Sequence, residues 1–195
     1  DIQVITPAKQ GPLGTRELNR LLQGKLNPPE RGKGEATLMG RTLREGDKVM
    51  QIRNNYDIIW QQPDGTAGTG IFNGDMGIIE MLDPGSKTIQ VRFEEKLATY
   101  SFENQDQLEH AYAVTVHKSQ GSEFEAVVMP LERRHPKLHY RNLLYTAVTR
   151  ARKLLIMTGQ KETVYAMVQN NRRTLRYTNQ KEMLQETVSY THLTL

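Results

Sequence analysis

The chain switches between two hydrophobic periodicities, and the switch divides it. Ile2–Thr6 (I-Q-V-I-T) reads as a short strand stopped by Pro7. A loop with Gly11, Pro12 and Gly14 follows. Thr15 is placed to cap a helix through residues 17–23, with Leu18, Leu21 and Leu22 on one face at helical spacing. Gly24 and the pair Pro28-Pro29 end that helix. Strand, Gly-containing loop and helix make one α/β unit. Residues 30–40 are Gly-rich and charged and read as a mobile connection. Beyond them the period shortens to two. Residues 48–53, 71–81, 89–93 and 96–102 read as short strands, broken by turns at Asn73-Gly74-Asp75 and Asp83-Pro84-Gly85. This pattern predicts a small all-β barrel over residues 41–104.

After residue 104 α/β sequence resumes, so the barrel reads as an insertion. Residues 126–131 predict a buried strand, 140–151 a helix carrying Leu143, Leu144, Ala147 and Val148, 154–158 (L-L-I-M-T) another buried strand, and 162–168 a helix. The expected organisation is a discontinuous α/β domain of residues 1–40 and 105–177, a β-barrel of 41–104, and a tail of 178–195 that is disordered or foreign to the natural protein.

One segment breaks the logic of a core. Residues 113–125 (A-V-T-V-H-K-S-Q-G-S-E-F-E) begin as an apolar alternation, then gather hydroxyls, an imidazole, an ammonium, an amide and a carboxylate between Thr115 and Glu123. A buried strand has no use for such groups. A strand end that opens onto a site can hold them without leaving them buried and unpaired.

Charge adds a second signal. The chain has 195 residues, 37% hydrophobic and 25% charged, with a net charge of +4 and a pI near 9.3. Between Arg133 and Lys153 there is no acidic residue, while Arg133, Arg134, Lys137, Arg141, Arg150, Arg152 and Lys153 are cationic. Such a run is a solvated face or a phosphate-binding surface. Lys9 and Arg16 flank the first loop, where they either meet an anion at a helix N-terminus or stay solvated. Tyr56 and Trp60 offer stacking surfaces for bases, although Trp60 beside Ile58-Ile59 equally suits the barrel core. The absence of Cys excludes a disulfide scaffold and a thiolate metal site, and no apolar run reaches the length of a membrane span. A cytoplasmic location is the expectation.

Several chemistries are missing. No glycine cradle carries a Lys followed by Ser or Thr, no acidic pair follows a buried strand to hold Mg²⁺, and the five His show no metal-ligand spacing. A self-sufficient enzyme is not expected.

Three blocks resemble the second motor domain of a superfamily 1 helicase, of the RecD-like group that includes the exodeoxyribonuclease V alpha chain. I-T-P-A-K-Q-G-P-L-G-T-R-E-L-N-R-L-L-Q (5–23), followed by L-N-P-P, looks like helicase motif IV. A-Y-A-V-T-V-H-K-S-Q-G-S-E-F (111–124) looks like motif V, and L-L-Y-T-A-V-T-R-A-R (143–152) like motif VI. The insertion, with N-N-Y and F-N-G-D-M-G, is similar to the family's 2B barrel. The resemblance implies a RecA-like α/β second motor domain (2A) with an inserted Src-homology-3-like barrel (2B). It implies part of an ATP-dependent DNA helicase translocating 5′ to 3′ on single-stranded DNA, with ATP and Mg²⁺ bound mainly by an N-terminal RecA-like half and with subunits of a nuclease complex as further partners. It assigns Arg150 as the arginine finger. It places Gly121, Glu123 and Lys9 toward nucleotide, and Thr115, His117 and Lys118 toward DNA. His117 as a satisfied buried histidine, and Lys118 as serving either side or only packing, stay open beside those roles. The implied fragment lacks a P-loop and is expected not to hydrolyse ATP alone. The rival expectation is a non-catalytic nucleic-acid-binding or protein-docking module on a degenerate helicase fold.

Overall fold

The computed structural model describes residues 2–132 and 138–171. Arg133, Arg134, Lys137 and the tail 178–195 lie outside the described residues.

The α/β part is a four-stranded parallel sheet in the order β11-β1-β12-β13. Its members are β1 (Ile2–Thr6), β11 (Ala113–Thr115), β12 (Phe124–Leu131) and β13 (Ala151–Gly159). Val127, Met129 and Leu131 of β12 pack with Leu143, Leu144 and Ala147 of α2 (Arg141–Val148) and Met167 of α3 (Lys161–Gln169). Fully burying an aliphatic side chain of this size contributes about 1.5–3 kcal/mol. The 154–158 run was expected to be a buried strand, and here the structure differs. β13 is the edge of the sheet, and Leu154 is 51% and Ile156 44% exposed. By register these two lie beside Ala126 and Val128, on the face opposite α2 and α3.

Between β1 and β11 the chain builds an antiparallel seven-stranded sheet in the order β10-β4-β7-β8-β9-β5-β6. Its strands are β4 (Lys48–Gln51), β5 (Asn55–Gln61), β6 (Ala67–Ile71), β7 (Met76–Asp83), β8 (Thr88–Phe93), β9 (Lys96–Ser101) and β10 (Leu108–His110). Ile89, Val91 and Phe93 alternate inward along β8 and meet Leu43, Val49, Ile71, Ile79 and Tyr100 in a second core. Trp60 packs against the edge of this core, with the Lys96 ammonium 4.9 Å from its ring centroid.

The antiparallel structure runs beyond residues 41–104 on both sides. A hairpin of β2 (Glu35–Leu38) and β3 (Arg41–Arg44) precedes it, turning at Met39-Gly40, both at positive φ. The glycines and charges read as a mobile connection therefore serve a tight turn and an exposed ribbon. At the other end β10 pairs with β4 after a 3₁₀ turn, Phe102–Gln107. The insertion also feeds the neighbouring core, because Met50 of β4 is buried with Ile5 and Val114 while Val49 faces the other way.

α1 (Thr15–Leu26) departs most from its sequence pattern. Its N-cap is Gly14, not Thr15, and Gly24 lies inside it. A Cβ on Gly14 would stand 2.5 Å from the Gln10 carbonyl carbon, so the coiled loop before the helix admits only glycine. Leu21 is 47% exposed, and the buried residues are Asn19 and Gln23, continued by the buried C-cap Asn27. That stripe has helical spacing but is polar.

Candidate functional site

All four strands of the parallel sheet point the same way, so its two edges are chemically distinct. Thr6 is level with Thr115, and Val4 is level with both Ala113 and Val128. Continued along β12, this register puts Phe124 about 20 Å below Thr115. The polar segment 116–123 therefore runs from the C-terminal edge of the sheet to its N-terminal edge.

At the upper edge the segment leaves β11 in a tight turn. Val116 N–H donates to Thr6 O (3.1 Å), and the Lys118 and Ser119 N–H groups donate to Thr115 O (3.0 and 3.1 Å). Thr115 is buried, and its Oγ1 accepts the Lys118 N–H at 3.3 Å. Its hydroxyl thus shapes the turn rather than standing open. Ser119 is wholly buried and donates to Val116 O (2.8 Å). His117 projects into solvent. The Lys118 ammonium is 2.8 Å from Glu109 Oε2. Burial pushes the Glu109 carboxyl up, but the hydrogen bond from Lys118 and the charges of Lys118, Lys9 and Arg41 outweigh it and leave the group below the ordinary carboxylate range. Lys9 is exposed and shares a pocket with Thr15, Thr115 and Lys118. Lys9 was expected on the nucleotide side; the structure groups it with the residues expected to face DNA. Lys9, Thr15, Asn19, Glu109 and His110 also line a groove of about 810 Å³ between α1 and the β2–β3 hairpin, with Arg16, Arg20 and Arg41 along it.

The lower edge holds the other group. Gly121 is exposed with φ +88°, a backbone conformation that glycine reaches without steric cost. Arg150 ends the turn before β13. Its guanidinium donates to Ser122 O (3.0 Å), Thr146 O (3.2 Å) and Thr149 Oγ1 (3.2 Å), and its own carbonyl accepts the Phe124 N–H (2.8 Å). Among the described residues it has no carboxylate partner. Its neighbours differ: Arg152 pairs with Glu123 at 2.9 Å and Lys153 with Glu125 at 2.6 Å. Arg150 is thus a partly exposed cation, aimed by neutral oxygens and bound to the Gly121 turn through Ser122. This fits a phosphate approaching from outside, because guanidinium donors gain most from an anionic acceptor. Glu123 is beside it but engaged with Arg152. The described residues fit one wall of a phosphate site. They include no cluster of His, Asp or Glu able to hold a metal ion, and no described helix is long and apolar enough to cross a membrane.

The structure brings Arg150, Gly121 and Glu123 to the lower edge and leaves Lys9, His117 and Lys118 at the upper one, while the sequence reading had set Lys9 with Gly121 and Glu123. That reading missed Ser122, whose carbonyl aims Arg150, and Glu109, which engages Lys118. Backbone acceptors leave no signal in side-chain identity, and Glu109 lies on a strand that the pattern left unread.

Known protein families match both parts of the chain. The family model described as the ATP-dependent RecD-like DNA helicase SH3 domain matches residues 18–93, and that of the UvrD-like helicase C-terminal domain matches 110–158. The chain is 35% identical over 158 residues to the ATP-dependent RecD2 DNA helicase of Deinococcus radiodurans, covering 81% of this chain and 20% of that protein. It is 26% identical over 172 residues to the RecBCD enzyme subunit RecD of Buchnera aphidicola subsp. Schizaphis graminum, covering 87% and 26%. The chain therefore spans about a fifth to a quarter of the length of these relatives. In fold it is similar to Bacteroides Pif1 bound to single-stranded DNA (TM-score 0.54, 16% identity, 98% of this chain and 46% of that one). It is also similar to Pif1 helicase from Candida albicans (TM-score 0.51, 15% identity, 97% and 50%). A parallel sheet, an SH3-like insertion and these sequence matches together show that the chain belongs to the RecD-like DNA helicases, of which it carries the SH3-like domain and the C-terminal motor domain.

Proposed function

We propose that the chain is the second motor half of an ATP-dependent helicase that translocates 5′ to 3′ on single-stranded DNA in the cytoplasm. In this reading the parallel sheet with α1, α2 and α3 is one working unit and the antiparallel insertion another. The observation that carries it is Arg150, a cation held by three neutral oxygens beside the exposed Gly121 turn. ATP with Mg²⁺, when bound by the N-terminal motor half, supplies the transferable phosphoryl group. Arg150 donates to its oxygens, and Gly121 and Glu123 line the approach. Lys9, His117 and Lys118 meet strand phosphates at the opposite edge, where contacts to the backbone position a strand without reading its sequence. Thr115 serves there by shaping the turn. The name RecBCD subunit borne by some relatives supports nuclease subunits as partners of the parent protein.

The test is Mg²⁺-dependent ATP turnover. The 195-residue chain alone should show none. In a longer protein that includes the N-terminal motor half, Arg150→Ala should lower kcat by about 10³–10⁵-fold, with single-strand affinity unchanged. Turnover by the chain alone, or an Arg150→Ala enzyme of normal rate, would refute the assignment.

A further inference from the structure

Asp47 has no part in the phosphate or strand contacts above, yet among the described residues it is a carboxylate with five donors around it. It precedes β4 and is fully buried. Oδ1 accepts from Asn27 Nδ2 (2.7 Å) and Tyr112 Oη (2.9 Å); Oδ2 accepts from Gln23 Nε2 (2.7 Å) and the Arg44 backbone N–H (2.8 Å). His110 Nε2 is 3.2 Å from the same Oδ2. Gln23 Nε2 also lies 3.1 Å from His110 Nε2, but its two hydrogens are directed to Thr42 O (2.9 Å) and Asp47, so the tautomer with the proton on His110 Nε2, a further donor to Asp47, satisfies the cluster.

These donors come from three places. Gln23 belongs to α1 and Asn27 is its C-cap, Arg44 belongs to the insertion, and His110 and Tyr112 to the segment that returns the chain to β11. The third member of the stripe completes the connection. Asn19 accepts the Ala113 N–H (2.7 Å) and donates to Ala113 O (2.9 Å) and His110 O (3.1 Å). Ala113 begins β11, and Thr115 at its end anchors the turn that carries His117 and Lys118. Apolar packing alone would hold the insertion against α1 but would let it slide. A buried carboxylate held by directional donors from three segments admits one arrangement, and loss of any donor leaves charge uncompensated.

We propose that Asp47, with Asn19, Gln23 and Asn27, is a rigid joint that makes the SH3-like insertion and the turn after Thr115 move as one body. Displacement of the insertion is thereby delivered to His117 and Lys118. These are positioning residues, and the proposal depends on the DNA role of that turn only for its consequence, not for the joint itself.

Backbone hydrogen exchange on the 195-residue chain tests it. Tyr112→Phe removes one donor and keeps the ring; Asp47→Asn removes the charge. Ile89→Val, in the insertion's core and away from the joint, is the control. Tyr112→Phe should speed exchange of the Val116, Lys118 and Ser119 amides about tenfold, together with the β4–β10 amides. The control should leave the three turn amides unchanged. Faster exchange in β4–β10 with the turn unaffected in Tyr112→Phe would overturn the joint, even if Asp47→Asn proves too unstable to study. A short oligothymidylate separates this from the DNA assignment. Coupled exchange with unchanged oligothymidylate affinity supports the joint and removes the turn from the strand-binding surface, whereas weakened affinity supports both.

Discussion

Asp47 shows how opposing terms set one residue's contribution. Burial pushes its carboxyl up, while the hydrogen bonds from His110, Asn27 and the Arg44 backbone, with the charge of His110, pull it down and prevail. Its folded value lies below the ordinary carboxylate value of about 3.9. A depressed folded value contributes stability that is complete above the ordinary value and lost as pH falls through the folded one. The Tyr112 phenol is shifted the other way, by burial and by the Asp47 charge and hydrogen bond, so it remains a donor throughout the neutral range. Asp47→Asn should cost roughly 3 kcal/mol near neutral pH, because donors assembled around a carboxylate then face an amide. The difference from the parent should narrow as pH falls below about 4. Urea midpoints across that range check this; a constant difference would place the ionised carboxylate outside the stability balance.

At the scale of elements, α1 is where the sequence misled and where the reason is plainest. Leu18, Leu21 and Leu22 suggested the buried face because apolar residues usually mark it. The buried stripe is instead Asn19, Gln23 and Asn27, whose four-residue spacing was visible in L-N-R-L-L-Q-G-K-L-N but whose chemistry was not a core's. A polar stripe is buried only where partners exist, and its partners, Asp47, Thr42 and Ala113, are distant in sequence. Residue identity alone cannot announce them. The strands β1, β8 and β12 were legible because their alternation or apolar run needs no distant information. The roles expected of Gly121 and Arg150 rest on the motif resemblance alone, and the edge position of β13 depends on the neighbours of the sheet rather than on L-L-I-M-T itself. The helix reading has a direct test. Leu21→Lys should change stability by less than about 0.5 kcal/mol, whereas Gln23→Leu should cost about 2 kcal/mol by stripping donors from Asp47 and Thr42 O. Thermal or urea unfolding of the two variants distinguishes a polar interface from an apolar one.

For the whole molecule, the decisive geometry is the separation of two charged groups by the length of the parallel sheet. Arg150 and Gly121 occupy the lower edge, Lys9, His117 and Lys118 the upper, and one continuous segment joins them. Substitutions at the two edges should therefore fail in different ways. Lys9 is exposed and free to meet a phosphate of any nucleotide, so Lys9→Ala should weaken single-strand binding about equally for every sequence. It should also flatten the dependence of log affinity on log salt by about 0.7, the contribution of one released counterion on a single strand. Arg150→Ala should leave both quantities unchanged, because Arg150 precedes β13 at the level of Phe124, about 20 Å along the sheet from Thr115. Fluorescence anisotropy with a short oligothymidylate over a salt series measures both. If Arg150→Ala flattens the salt dependence and Lys9→Ala does not, the strand runs along the lower edge, and the division of labour between the two ends of the segment is reversed.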